Sequence, residues 1–205
     1  MSSLILYTNP MSRGRIVRWM LEEIGAPYDV HVLEFGAAMK TPEYLALNPM
    51  GKVPTLVHDG VVVTEVAAIC AYLAESFPER ALAPALGTPA RAAYHRWLAF
   101  ITGPLEMAIT VKQNGWIIND DNTRAVGCGR LEDVLQTIEQ QLATGGWLCG
   151  EDFTVVDLLL ASYLGWYIQF QQIAPKPVYT AYVARAHERA AAQRAVQLDD
   201  ALIKG

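Results

Sequence analysis

The chain has 205 residues, enough for one large domain or two small ones, and at 52% hydrophobic and 18% charged it can bury a sizeable core and is not disordered. Sixteen Lys and Arg against 21 Asp and Glu leave a net charge of −5, which argues against a nucleic-acid partner because that function needs a basic face. Three cysteines, Cys70, Cys128 and Cys149, form neither a disulfide framework nor a metal-ligand spacing, so no metal and a reducing, cytoplasmic setting are expected. The first residues lack the basic region of a secretory signal, and no apolar run reaches the ~18 residues of a membrane span.

In chain order, Leu4–Tyr7 is a short apolar run closed by the turn residues Thr8-Asn9-Pro10 and predicts a buried strand. Ile16, Val17, Met20, Leu21 and Ile24 then fall at helical spacing, with Arg15, Arg18, Glu22 and Glu23 on the other side. Ser12 or a neighbour starts this helix and Gly25 ends it. Residues 28–33 alternate with a period near two, which gives a second strand and a βαβ unit with parallel pairing. A short helix from Thr41 and a turn at 48–52 precede a strand at 53–58, the Asp59-Gly60 hairpin and a strand at 61–63. Residues 65–77 return to helical spacing and stop at Pro78.

Beyond Pro78 the character changes. Residues 79–89, with Pro84, Gly87 and Pro89, read as a linker. From residue 90 on every long segment has helical period, with helices expected near 90–114, 123–144, 154–172, 178–190 and 193–203. The division is therefore a mixed α/β domain over 1–78, the linker, and an all-helical domain over 90–205. Thr154 and Asp157 stand at the spacing of a capping box, which makes Asp157 structural. Arg185, His187, Arg189 and Arg194 read as a solvated helix face, and Cys70 as a buried small hydrophobe on an apolar stripe.

Three segments of the first half carry chemistry. The loop 9–15 opens a helix, where free N–H groups and the positive end of the dipole favour an anion such as a thiolate, and Ser12 adds a hydroxyl; the same serine also reads as a plain cap. In Lys52-Val53-Pro54-Thr55-Leu56 the proline suits the start of a strand. A cis bond there turns Val53 outward to pair its backbone with an extended ligand, whereas a trans bond makes Pro54 an ordinary turn residue. Glu65 opens a helix after a strand, either as dipole compensation or as the partner of a ligand ammonium while the helix N–H groups take a carboxylate. Together they describe a ligand with an ammonium and a carboxylate at one end, an amide in the middle and a soft anion at the other.

With Leu6–Arg15, the run Asn48-Pro49-Met50-Gly51-Lys52-Val53-Pro54-Thr55-Leu56, Glu65 and Thr154-Val155-Val156-Asp157, the sequence resembles the glutathione transferase family over nearly its full length. The resemblance implies a thioredoxin-like α/β N-terminal domain (βαβ then ββα), an all-α C-terminal domain, glutathione as co-substrate and a homodimer. It implies that Val53, ahead of the family's cis-proline Pro54, pairs with the cysteinyl backbone of glutathione, that Glu65 and Val66 hold the γ-glutamyl end, and that Lys52 and Lys40 face the glycyl carboxylate. Ser12 stands where the family bonds the sulfur, with Asn9 as the alternative, and Met11, Glu106, Trp116 and Trp166 are expected along the pocket for a hydrophobic electrophile. The implied activity is thiolate attack on such an electrophile, conjugation as in detoxification. The alternatives on the same fold are a non-catalytic binding module and a glutathione-dependent isomerase, dehalogenase or peroxidase.

The sequence departs from the family's pattern in three places. Val66 stands where a Ser or Thr hydroxyl is usual, Ser12 where bacterial beta-type enzymes carry cysteine, and Glu106 where those enzymes tend to have histidine. Tyr7, near the tyrosine of animal-type enzymes, belongs to the strand and is expected to point into the core.

Overall fold

The computed structural model describes residues 3–203, and these divide into two compact units. The first runs to Ala81 and takes back the chain from His187 onward; the second is Leu82–Ala186. The helical domain expected over 90–205 therefore loses its C-terminal end to the first unit, because the last helix carries charges that complement the first helix.

The first unit is built on a four-stranded mixed sheet in the order β2-β1-β3-β4. Strand β1 (Leu4–Thr8) pairs parallel with β2 (Asp29–Val32), and β3 (Thr55–His58) runs antiparallel to β1 and to β4 (Val61–Thr64). Between the first two strands lies α1 (Gly14–Ile24), and after β4 comes α3 (Val66–Ser76); α1 packs on β1 and α3. A single turn of 3₁₀ helix, Ala37–Lys40, and α2 (Pro42–Leu47), capped by the Thr41 side chain, connect β2 to β3. This βαβ-then-ββα order is the thioredoxin-like arrangement.

Alternation along β1 buries Leu4, Leu6 and Thr8 and leaves Tyr7 on the other face. The expectation that Tyr7 enters the core is thus corrected: the period-two pleat turns it away from Leu6, and its ring stacks on His31, 4.9 Å between centroids, and leans on Tyr44 of α2. Arg18 lies on the polar side of α1 but is only 3% exposed, because α9 (Ala190–Ile203) covers that side. Arg18 Nε donates to Asp199 at 2.6 Å.

The second unit is helical. Helix α4 (Pro89–Phe100) continues through a wider π turn, Ile101–Leu105, into α5 (Glu106–Gln113); Pro104, which has no N–H to give, sits inside that turn. Helix α6 is Leu131–Leu142, shorter than the 123–144 segment expected, since Gly129 takes φ +65° and Asn119 and Asn122 close a turn of their own upstream. Helix α7 (Val155–Gln169) is buried nearly all round and forms the centre of the unit. Helix α8 (Pro177–His187) follows.

The expected solvated face is corrected for Arg185, His187 and Arg189, which are half-buried, while Arg194 is exposed as expected. Arg185 lies 3.7 Å over the Trp147 ring and donates to the carbonyls of Gly145 and Gly146. Arg189 forks onto Glu23 and Arg194 binds Glu22, while His187 packs on Trp19. Charge at helical spacing reads as a wet surface only until its partners elsewhere in the chain are known. No helix of the described residues is long and apolar enough to cross a membrane.

Candidate functional site

Strand register gathers the three chemical segments. Tyr7 stands opposite Thr55, and Thr55 opposite Thr64, so the loop after β1, the loop before β3 and the start of α3 after β4 all leave the sheet at the same end. Sequence spacing alone does not supply this; it follows from β3 running antiparallel to both neighbours.

The loop after β1 is held from two sides. Asn9, 5% exposed, donates its side-chain amide to Leu33 O at 2.8 Å, and its Oδ1 accepts Met11 N–H at 2.9 Å. Ser12 Oγ accepts Gly14 N–H at 2.9 Å and donates to Asn9 O at 2.7 Å, so its oxygen takes the first N–H of α1, one residue before the Arg13 cap position, and its proton turns back onto the loop. Asn9 is therefore engaged at both ends of its amide, while half-buried Ser12 turns its one O–H elsewhere only by giving up its bond to Asn9 O, through rotation about a single bond. Helix α1 has no acidic residue in its first turn, so no side chain of that turn offsets its positive end. Gly14 is required by the fit: a Cβ at this position lies 1.8 Å from Thr8 Oγ1 and 3.0 Å from Ser12 Oγ.

The loop before β3 is braced by residues outside the sequence-level selection. Asn48 and Tyr44 both donate to Lys52 O, at 2.8 and 2.6 Å, and both meet Thr55 Oγ1. Burial pushes the Tyr44 phenol up from its ordinary value, so it stays a protonated donor. Gly51, at φ +56°, leaves space that a Cβ fills 2.5 Å from Met39 O. Lys40 reaches back to Met50 O at 2.8 Å, so its ammonium braces this loop, while Lys52 is exposed. The Val53–Pro54 peptide is cis; Pro54 is buried and Val53 half-buried. The turn signal of Asn48-Pro49-Met50-Gly51 was legible in the sequence, but the anchoring by Tyr44 was not, since it comes from a different helix.

At the third segment Glu65 holds φ +67° and ψ 122°, an uncommon backbone state for a residue with a side chain, and its own side chain is exposed. It precedes Val66, the first residue of α3, whose opening N–H groups have no carbonyl within the helix to bond. The arrangement offers two helix N-termini, one exposed carboxylate, one hydroxyl and one exposed ammonium around a common sheet end.

Of the residues expected beside an electrophile, Met11 belongs to the first unit and is 49% exposed. The other three belong to the second. Glu106 accepts a hydrogen bond from Tyr163 Oη at 2.8 Å, Trp166, one turn after Tyr163 on α7, leans on Phe170, and Trp116 is exposed in the segment after α5. Burial pushes the Cys70 thiol up and carries that of Cys149 up to about 11, so neither is poised to form a thiolate.

Comparison with known proteins gives matches in both units. Residues 11–76 match the glutathione S-transferase N-terminal domain and residues 120–185 the C-terminal domain. Glutathione S-transferase GST-4.5 of Xanthomonas campestris is 30% identical over 78% of this chain and 81% of its own length. Glutathione S-transferase GstA of Escherichia coli O157:H7 is 33% identical over 60% of the chain, and the match spans 61% of that relative's length. Among solved structures, a sphingomonad glutathione S-transferase complexed with glutathione superposes with a TM-score of 0.78 at 27% identity, covering 96% of this chain and 98% of its own.

Proposed function

The chain belongs to the glutathione S-transferase family, and from that premise we propose that it binds glutathione at the shared sheet end and holds its sulfur as a thiolate for attack on an electrophilic carbon. In this reading Ser12 turns its O–H from Asn9 O to the sulfur. Val53 pairs its backbone with the cysteinyl unit, Glu65 takes the ammonium of the γ-glutamyl end, Val66 N–H takes its carboxylate, and Lys52 faces the glycyl carboxylate. Lys40 acts at one remove, through its bond to Met50 O.

The observation that carries the reading is the place of Ser12: the buried Asn9 amide is committed to Leu33 and Met11, whereas half-buried Ser12 holds its proton on Asn9 O, from which one bond rotation turns it away, beside a helix start with no acid in its first turn. A free thiol near pKa 8.5 is mostly protonated at neutral pH, and each unit of lowering is about 1.4 kcal/mol of differential stabilisation. A donated hydrogen bond and a helix N-terminus supply that order of energy. The sulfur lone pair then forms the C–S bond while the electrophile's leaving group departs with its electron pair, or its activated double bond takes up a proton. The protein's share is positioning and thiolate stabilisation. A cytoplasmic homodimer acting in detoxification completes the reading.

The test is calorimetric titration with glutathione, followed by the ultraviolet thiolate absorbance of the bound ligand against pH. Binding with a thiol titrating at least one unit below the free value, and moved back up in Ser12→Ala but not in Asn9→Ala, is the expected result. Binding with no shift assigns the chain as a non-catalytic module, the alternative that Val66 in place of a hydroxyl residue favours. No heat at millimolar glutathione sinks the proposal altogether.

A further inference from the structure

We propose that Asp200, near the end of the chain, is a positioning residue for the sulfur site, acting through Arg15. The inference rests on the reading of Ser12 above. Arg15 sits in the first turn of α1 and reaches in two directions. Its Nη1 donates to Pro10 O at 3.2 Å, and its Nη2 donates to Asp200 Oδ1 at 2.7 Å. Pro10 lies between Asn9 and Met11, inside the loop that presents Ser12, and its carbonyl is gripped by this one guanidinium. Asn9 fixes the entrance of the loop and Ser12 its exit; Arg15 fixes the middle.

A guanidinium is a rigid plane, so two partners on its two amines set its orientation where one partner leaves it free to swing. Asp200 is the second partner. Its own place is set one residue earlier: Asp199, fully buried, receives Arg18 Nε at 2.6 Å. Arg15 and Arg18, three apart on α1, meet adjacent carboxylates on α9. The buried pair thus docks α9 in one register and the outer pair transmits that register to Pro10. The outer pair is partly exposed, with side chains at 24% and 46%, so on its own it contributes little to stability; its effect is geometric.

A comparison within the same helix pair separates this role from general loosening. Arg194 of α9 binds Glu22 of α1 at 3.1 Å and is 51% exposed, so it resembles Asp200 in exposure and in tying α9 to α1, but it touches nothing in the loop. The experiment measures the pKa of bound glutathione's thiol and the glutathione Kd in the full chain for Asp200→Ala, Asp200→Asn, Arg194→Ala and Ser12→Ala. The expected result is a rise of about half a unit in Asp200→Ala, a roughly threefold loss of thiolate at neutral pH. Kd stays within about twofold, most of the loss is recovered by Asp200→Asn, which keeps an acceptor oxygen, and Arg194→Ala shows no shift. If Asp200→Ala does not fold, Arg15→Lys reads the same coupling, since an ammonium on a flexible stem does not reproduce the two-armed plane.

A shift in Ser12→Ala with none in Asp200→Ala or Arg15→Lys overturns this proposal and leaves the sulfur reading standing. An equal shift in Arg194→Ala overturns it in favour of helix docking at large. No shift in Ser12→Ala overturns both.

Discussion

Helices α1 and α7 both start beside a hydroxyl residue, and they spend it differently. At α7 the box is closed. Asp157 Oδ2 takes the N–H and the hydroxyl of Thr154, Oδ1 takes Leu148 N–H and the Tyr182 hydroxyl, and the carboxylate is fully buried. At α1 a half-buried serine faces a helix start with no acid in its first turn. A helix N-terminus answered by the chain's own anion is a structural joint, and one left unanswered is a place for someone else's anion. Removing each group in turn tests the distinction.

The largest effect is expected at α7. Asp157→Ala orphans four buried donors, and breaking a buried charged network in this way costs about 3–5 kcal/mol. Chemical unfolding is the check; a loss near the level of a surface substitution breaks the comparison. Next is Gly14→Ala. The added methyl meets Thr8 Oγ1 far inside contact distance, so α1 must shift off β1. Overpacking of this kind costs about 1–3 kcal/mol, and glutathione binding is expected to weaken with it, because the same shift displaces Ser12. Third is Ser12→Ala, which removes one partner of Gly14 N–H and is expected to cost about 1 kcal/mol of stability. Its main effect falls on the ligand, a rise of about one unit in the bound thiol's pKa, or ~1.4 kcal/mol. If Ser12→Ala proves as destabilising as Asp157→Ala, α1 is a joint like α7 and the distinction fails.

How much of this was legible follows from how local each signal is. The βαβ-ββα order, the capping box at Thr154 and Asp157, and Glu65 at a helix start each depend on residues within one turn or one hairpin, and those were read directly. The convergence of 9–12, 52–54 and 64–66 depends on strand pairing across fifty residues, and the family resemblance supplied it where spacing did not. Charge at Arg18 and Arg189 reads locally as a solvent face, because their partners Asp199 and Glu23 are more than a hundred residues away. Glu65's backbone state left no mark at all, since glutamate is not the residue that a positive φ normally selects.

The smallest effect also comes from that docked C-terminal segment and sharpens the comparison from the pH side. His187 packs on Trp19, 5.1 Å between ring centroids, and burial holds its imidazole below the ordinary value. The folded chain therefore binds fewer protons at this site than the unfolded chain once pH falls below the imidazole range of about 6.5. The stabilisation is present in full above that value and is lost as pH drops towards the lower folded pKa. Burial also holds the Asp157 and Asp199 carboxyls above their ordinary value, so the imidazole's share of the slope is the difference between the parent chain and a His187 variant. Urea midpoints taken below about pH 6.5 are expected to fall more steeply in the parent chain than in His187→Phe, which keeps the ring contact without the proton. A slope unchanged in His187→Phe assigns the dependence to another residue.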